Sequence, residues 1–199
     1  MKNLWQSSRR SAQEVRLEGP LIYLRPPERR DRDAWIHLRS ASREFLEPWE
    51  PTWSRDSLTT ATYRLRRRRQ IQDAEDDTGY SFLIFRREDG ALLGGTTLSR
   101  VQRSVVQSGQ LGYWTGQPFA RHGYMTEALH CLLPHCFGRL ALHRVEAACL
   151  PENEASRRLL ERVGFRCEGQ AKEYLKIAGE WRDHLLYASI AREYRAPGA

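Results

Sequence analysis

Leu111-Gly112-Tyr113-Trp114-Thr115-Gly116-Gln117-Pro118-Phe119-Ala120-Arg121-His122-Gly123-Tyr124-Met125-Thr126-Glu127-Ala128 decides the fold of this chain. Its first four residues read as a strand interrupted by glycine, and Gly116 and Pro118 then end that strand. From Met125 to Leu140 the apolar positions 125, 128, 129, 132, 133, 136, 137 and 140 follow the i, i+3, i+4, i+7 spacing of a helix with one buried face. Pro134 inside that helix removes a backbone hydrogen bond and predicts a kink. A turn that enters a helix presents N–H groups with no intrahelical acceptor. Phosphate oxygens satisfy them, and the helix dipole favours their charge. Gly123 allows close approach or a positive φ, and Arg121 and His122 add donors at the rim. A lone glycine between strand and helix is common, so the neighbouring sequence has to carry the rest.

Downstream, Arg144–Leu150 reads as a buried strand and Asn153–Val163 as a packed helix stopped by Gly164. Strand, helix and strand from 110 to 150 predict a parallel crossover. If the Leu111–Trp114 strand splays from its neighbour, its free amides can hold an extended ligand that carries amides of its own. Asn153 suits an N-cap, and Ser156 lies three residues on, beside the same gap. Two late strands, about Phe165–Ile177 (broken near Gly169) and Asp183–Arg192, are joined by the tight turn Ala178-Gly179-Glu180.

Upstream, Leu21–Arg25 is strand-like, Asp31–Arg39 helical, and 45–53 irregular, with aromatic residues and prolines. A helix from about Leu58 to Ala74 is predicted, with an apolar stripe at Leu58, Ala61 and Leu65 and the basic block Arg66–Arg69. Tyr80–Arg86 alternates Phe82 and Ile84 against Leu83 and Phe85, and Glu88-Asp89-Gly90 predicts a hairpin. Leu92–Val101 follows, where Gly94 and Gly95 imply a bulge or close backbone approach. The expected architecture is one α+β domain over 19–195. Its mixed, mostly antiparallel sheet would have about six to seven strands, flanked by about four helices, with a splayed strand pair.

At 199 residues, 40% hydrophobic and 29% charged, the chain can bury one core without disulfides. No apolar run approaches the ~20 residues of a membrane span. Residues 1–18 carry Lys2, Arg9, Arg10 and Arg16 but no apolar centre. They read as a flexible basic arm and not as a secretory signal. The net charge of +7 is almost wholly arginine, with lysine only at 2, 172 and 176. Such a field favours polyanionic partners, although it is equally a common solubility bias. Cys131, Cys136, Cys149 and Cys167 show no metal spacing and read as reduced thiols of a cytoplasmic protein. No metal site is expected.

The run from Tyr113 through Glu127-Ala128, with Asn153-x-x-Ser156 and Gly164-Phe165, resembles the GNAT acetyltransferase core. Within that superfamily the chain is similar to the Rim-type ribosomal-protein alanine N-acetyltransferases. The residues that carry this are Phe45-Leu46-Glu47-Pro48-Trp49-Glu50-Pro51, Glu168-Gly169, Ala171-Lys172-Glu173-Tyr174-Leu175 and Gly179-Glu180-Trp181-Arg182-Asp183-His184. The resemblance covers roughly residues 20–190. Ala120 and Met125 depart from the usual ends of the family turn, which moves weight onto backbone amides.

The resemblance implies acetyl-CoA as co-substrate, with its pyrophosphate on the turn and its pantetheine arm in the gap. Trp114, Thr115, Arg121, His122, Gly123, Tyr124, Met125, Thr126, Asn153 and Ser156 are the expected cofactor contacts. A primary amine would attack the thioester directly, with Glu173 as base and Ser156 protonating the thiolate or orienting the thioester. Glu168 is a weaker alternative base, and Glu127 suits a capping role. Trp49, Glu50, Trp181 and Asp183 are expected on the acceptor side, the carboxylates drawing in a cationic terminus. Packing is the alternative role for both tryptophans. The expected acceptor is the α-amine of a ribosomal protein with an alanine-type N-terminus, and Arg66, Arg67, Arg68 and Arg69 are candidate rRNA contacts. Alternatives are a small amine (polyamine, antibiotic or amino acid) or a ribosome- or RNA-binding assembly factor without turnover. A monomer or homodimer fits equally.

Overall fold

A computed structural model describes residues 15–195. Its elements in chain order are β1 (Leu17–Glu18), β2 (Ile22–Arg25), α1 (Arg32–Ala41), α2 (Arg43–Leu46), α3 (Thr60–Glu75), β3 (Tyr80–Arg86), β4 (Leu92–Gln102), β5 (Ser108–Thr115), α4 (Tyr124–Phe137), β6 (Arg144–Cys149), α5 (Glu154–Arg162), β7 (Arg166–Ile177) and β8 (Glu180–Ile190). The described residues thus hold eight strands and five α-helices, slightly more than expected. The additions are short: β1, which pairs antiparallel with β2, and the single turn α2. The arm expected over 1–18 falls on 1–14, outside the described residues, and on 15–18, where Val15 is buried and Leu17–Glu18 joins the sheet.

The eight strands form one sheet in the order β1-β2-β3-β4-β5-β6-β8-β7. Every neighbouring pair is antiparallel except β5 and β6, which α4 connects. Two cores follow from the alternation of the strands. On one face Phe82, Ile84 and Leu111 pack with the α4 residues Leu129, Leu132 and Leu133. Each of those leucines is at most 1% exposed, so each stabilises the fold by about 1.5–3 kcal/mol. On the other face Leu83, Phe85 and Trp114 pack with Trp35, Leu38 and Tyr63 from α1 and α3.

Helix α4 passes through Pro134 for one more turn and ends at Phe137, where Gly138 donates to the Pro134 carbonyl at 2.8 Å. Leu140 and Leu142 are buried from the loop beyond. The stripe expected on α3 is corrected. Ala61 and Leu65 are exposed, and Tyr63 anchors the helix with its hydroxyl donating to the Glu28 carbonyl at 2.6 Å. A polar hydroxyl with a backbone acceptor sits under this helix where simple apolar periodicity pointed elsewhere. Gly94 lies against the backbone of β5: a Cβ there would come within 2.3 Å of the Trp114 carbonyl oxygen. The expected close approach is real, and it fixes β4 on β5.

Candidate active site

Pairing between β5 and β6 runs from Ser108↔Arg144 to Leu111↔Ala147 and stops there. Both strands continue, but with other partners. β5 stays on β4 as far as Thr115↔Gly94, and β6 stays on β8 as far as Cys149↔Leu185. The sheet therefore opens at Gly112, whose surface is exposed. Main-chain groups of Gly112–Thr115 on the β6 side have no strand partner, and such groups need hydrogen bonds from another source.

At the end of β5 the chain turns into α4. Gly123 caps the helix with φ +82°, and Arg121 is also left-handed at φ +65°. The first helical bond runs from the Glu127 N–H to the Gly123 carbonyl at 3.1 Å. The amides of Tyr124, Met125 and Thr126 thus lack intrahelical acceptors. Arg121, His122 and Gly123 are exposed around them, and His122 Nδ1 lies 2.8 Å from the Ala120 carbonyl, which accepts. Met125 is buried, so its contribution to a ligand is its amide. Glu127 is occupied in the fold: its carboxylate accepts from the N–H groups of Leu21 at 2.7 Å and Ile22 at 3.1 Å. This set suits a pyrophosphate, and the open strand edge suits an arm with amides; acetyl-CoA has both.

Across the opening, Asn153 caps α5, its Oδ1 accepting from the Ser156 N–H at 3.0 Å. The Ser156 hydroxyl meets the Tyr113 hydroxyl of β5 at 2.6 Å. Tyr113 was not among the expected site residues. Burial raises its hydroxyl pKa well above the ordinary tyrosine range, with the Ser156 bond opposing, so the hydroxyl stays protonated. Cys149 adjoins the same pair. Burial raises its thiol pKa, and a bond with Ser156 opposes that. Trp114 points its side chain to the other face of the sheet, into the second core, so only its backbone borders the gap. Thr115 pairs with Gly94 at the lip.

The acceptor elements are adjacent. The Ala178 N–H donates to the Glu50 carbonyl at 3.0 Å, which ties the β7–β8 turn to the 47–53 segment. Trp49 is 38% exposed and Trp181 60%, so neither is a core side chain and both are available to a ligand. Glu173 sits in a bulge of β7 where the register with β8 shifts between Ala171 and Leu175. Its φ of +45° is unusual for a residue with a side chain, and strain of this kind concentrates at functional sites. Asp183 holds the bulge: one oxygen accepts from the Glu173 N–H at 2.9 Å, the other from Gln170 Nε2 at 2.8 Å. The Glu173 bond first, and the Gln170 bond next, keep the Asp183 carboxyl below its usual range.

The two carboxylates expected to attract a cationic terminus differ in their surroundings: Asp183 accepts only neutral donors and keeps its charge, whereas Glu50 is ion-paired with Arg39. Glu50 accepts from Arg39 Nη1 at 3.1 Å, from Arg39 Nη2, and from Trp53 Nε1 at 2.8 Å. Glu168 bonds Arg144, which lowers its carboxyl pKa and makes it a poor base. Within the basic block, Arg67 Nε donates to the Pro27 carbonyl at 3.2 Å, while Arg66, Arg68 and Arg69 are exposed. Among the described residues no cluster of His, Cys, Asp or Glu is placed to hold a metal, and no helix is long and apolar enough to cross a membrane.

Comparison with known proteins agrees with this geometry. The model of the acetyltransferase (GNAT) domain matches residues 22–166. The Bacillus subtilis protein named "Probable N-acetyltransferase YjcK" is 36% identical over 174 residues, covering 87% of this chain and 96% of its own. The [ribosomal protein uS5]-alanine N-acetyltransferase of Escherichia coli is 33% identical over 170 residues, covering 84% and 87%. The structure of Mycobacterium smegmatis RimJ in complex with CoA-disulfide superposes with a TM-score of 0.84 at 37% identity, covering 90% of this chain and 87% of that one. The chain belongs to the GNAT family of N-acetyltransferases.

Proposed function

We propose that the chain transfers the acetyl group of acetyl-CoA to the N-terminal α-amine of a ribosomal protein with an alanine-type N-terminus. The observation that carries the chemistry is the Tyr113–Ser156 hydroxyl pair, 2.6 Å apart, beyond the point where β5 and β6 separate. Free amides at the start of α4 hold the pyrophosphate, and the open edge of β5 lines the path of the pantetheine arm. A β5 amide near Trp114–Thr115 stabilises the oxyanion that forms as the amine attacks. Ser156 delivers a proton to the departing sulfur, while Tyr113, itself protonated, orients the serine hydroxyl. Glu173, fixed by Asp183, receives the proton of the amine directly or through water.

An α-amine asks less of a single carboxylate than a lysine does. The two amines differ by roughly 2.5 pKa units, or about 3.5 kcal/mol of deprotonation cost. Similarity to RimJ and to the uS5-alanine enzyme supports a ribosomal acceptor. The deciding experiment is a thiol-release assay with acetyl-CoA across Ala-initiated peptides, polyamines, aminoglycosides and free amino acids. Peptide turnover at least tenfold above every small amine is expected. Preferential turnover of a polyamine or aminoglycoside would replace the acceptor, and no thiol release with any amine would leave only a binding role.

A further inference from the structure

Helices α1 and α3 cover one face of the sheet over β2 to β5, where Tyr23, Leu83, Phe85, Leu92 and Trp114 pack beneath them. The same face continues across β6, β8 and β7. Side chains alternate along a strand, so Gln110 and Gly112 lie on it with Trp114. Leu111 and Ala147 pair within the first core, so Ala148, like Gly112, faces the other way. Ala148 pairs with Leu186 of β8, and His184 is two residues further along that strand. Gly112 is exposed, and Ala148 and Leu186 are half-buried, so a ligand can reach this part of the face.

Tyr174 crosses this open face. It leaves β7 in the bulge that also holds Glu173, and its ring centroid lies 5.8 Å from that of the buried His184. Its hydroxyl accepts from Gln110 Nε2 on β5 at 3.4 Å. Together the two side chains bridge the face from the edge strand, over β8 and β6, to β5. Gln110 precedes Gly112 by two residues, about 7 Å along an extended strand. The bridge therefore ends next to the small residues Gly112 and Ala148, at the point where β5 and β6 part.

We propose that Tyr174 selects the acceptor by the size of its first side chain. The inference rests on the acetyl-transfer reading, which puts the amine between Glu173 on β7 and the thioester in the gap beyond Leu111. A terminal residue held there lies against the Tyr174 ring, with Gly112 and Ala148 as the floor. This wall admits a methyl group and turns away a γ-branched chain. The Gln110 bond and the His184 contact hold the ring in place, so it does not swing aside as an unanchored tyrosine would. Discrimination by excluded volume of this kind is worth roughly tenfold or more for each methylene.

The test measures kcat/KM of the full chain by thiol release. Acceptors are C-terminally amidated peptides Xaa-Gly-Gly-Gly beginning with Ala, Ser, Val or Leu, and the amides of free alanine and leucine. Wild type should prefer the Ala peptide over the Leu peptide by roughly tenfold or more. Tyr174→Ala should bring that ratio close to one. Tyr174→Phe keeps the ring and should keep most of the preference, and Gln110→Ala, which frees the tip of the ring, should fall between the two. Both peptides are measured on one preparation, so a loss of folded protein or a displaced Glu173 cancels in the ratio. A ratio that Tyr174→Ala leaves intact overturns the role of Tyr174, while acetylation of the peptides stands. A wild-type ratio near one overturns it as well. If only the amino acid amides are acetylated and Tyr174→Ala relaxes their Ala-over-Leu preference, Tyr174 stands and the ribosomal acceptor falls; an unmoved amide ratio removes both. A Tyr174→Phe ratio as low as that of Tyr174→Ala assigns the selection to the hydroxyl bond and overturns the ring as the barrier.

Discussion

Gly123→Val separates the two demands that the start of α4 makes on its sequence. Space is not one of them, because a Cβ added at Gly123 would meet no heavy atom within 4 Å. The demand is conformational. Gly123 has φ +82° and ψ −9°, a region that costs an ordinary L-residue roughly 1–2 kcal/mol and a β-branched one more. A folded chain that keeps the turn should lose about 2–3 kcal/mol, or roughly 4–12 °C of Tm for a domain of this size. A chain that escapes the strain by rotating the turn re-aims the amides of Tyr124, Met125 and Thr126. Each hydrogen bond to a charged group is worth about 1.5–3 kcal/mol, so losing two weakens CoA by roughly 100-fold or more. Isothermal titration with CoA, paired with thermal melts, measures both. Gly94→Ala serves as the contrast, since its Cβ would overlap the Trp114 carbonyl oxygen at 2.3 Å and should destabilise the sheet before it affects the turn. A Gly123→Val protein that binds CoA as tightly as wild type would refute the phosphate role of this turn.

Three further outcomes are expected. Glu173→Gln should lower kcat by roughly 10²–10⁴ while CoA affinity stays within about twofold, and full activity would remove Glu173 as the base. Tyr113→Phe and Ser156→Ala should each lower kcat, and the double variant should be little worse than Ser156→Ala, with a coupling of about 1 kcal/mol or more; additive effects would show that the 2.6 Å contact has no kinetic role. Burial first, and the charge of Arg139 second, lower the His135 pKa from 6.5 to about 4. The folded state then takes up its proton less readily than the unfolded chain, so stability is complete above pH 6.5 and falls as pH drops towards 4, by an amount on the order of 3 kcal/mol. His135→Leu should flatten the urea midpoint across that window, and an unchanged pH slope would place the acid sensitivity elsewhere.

Much of the fold was legible because its signals are short-range. The buried residues Met125, Ala128, Leu129, Leu132, Leu133 and Cys136 of α4 are those its helical spacing names. The Asn153 cap, the break in β7 and the close approach at Gly94 also rest on a few neighbouring residues. What failed to read was α3, where Tyr63 and not the apolar stripe turned inward, because its acceptor lies 35 residues away. The partners of the acceptor-side residues were not legible for the same reason. Glu50 looked free, yet its carboxylate is held by Arg39 and Trp53.

The sequence by itself determined the helix-end phosphate cradle, the glycine-broken strand before it and the family to which both belong. Each depends on local backbone conformation: an αL cap, missing intrahelical acceptors and a strand that cannot continue through Gly116 and Pro118. Only the tertiary structure decided that β5 leaves β6 after Leu111, that Tyr113 meets Ser156 across 43 residues, and that the β7–β8 turn is tied to the Glu50 carbonyl. Those are contacts between distant segments, set by how twisted strands and packed helices come together, and no local rule of spacing encodes them.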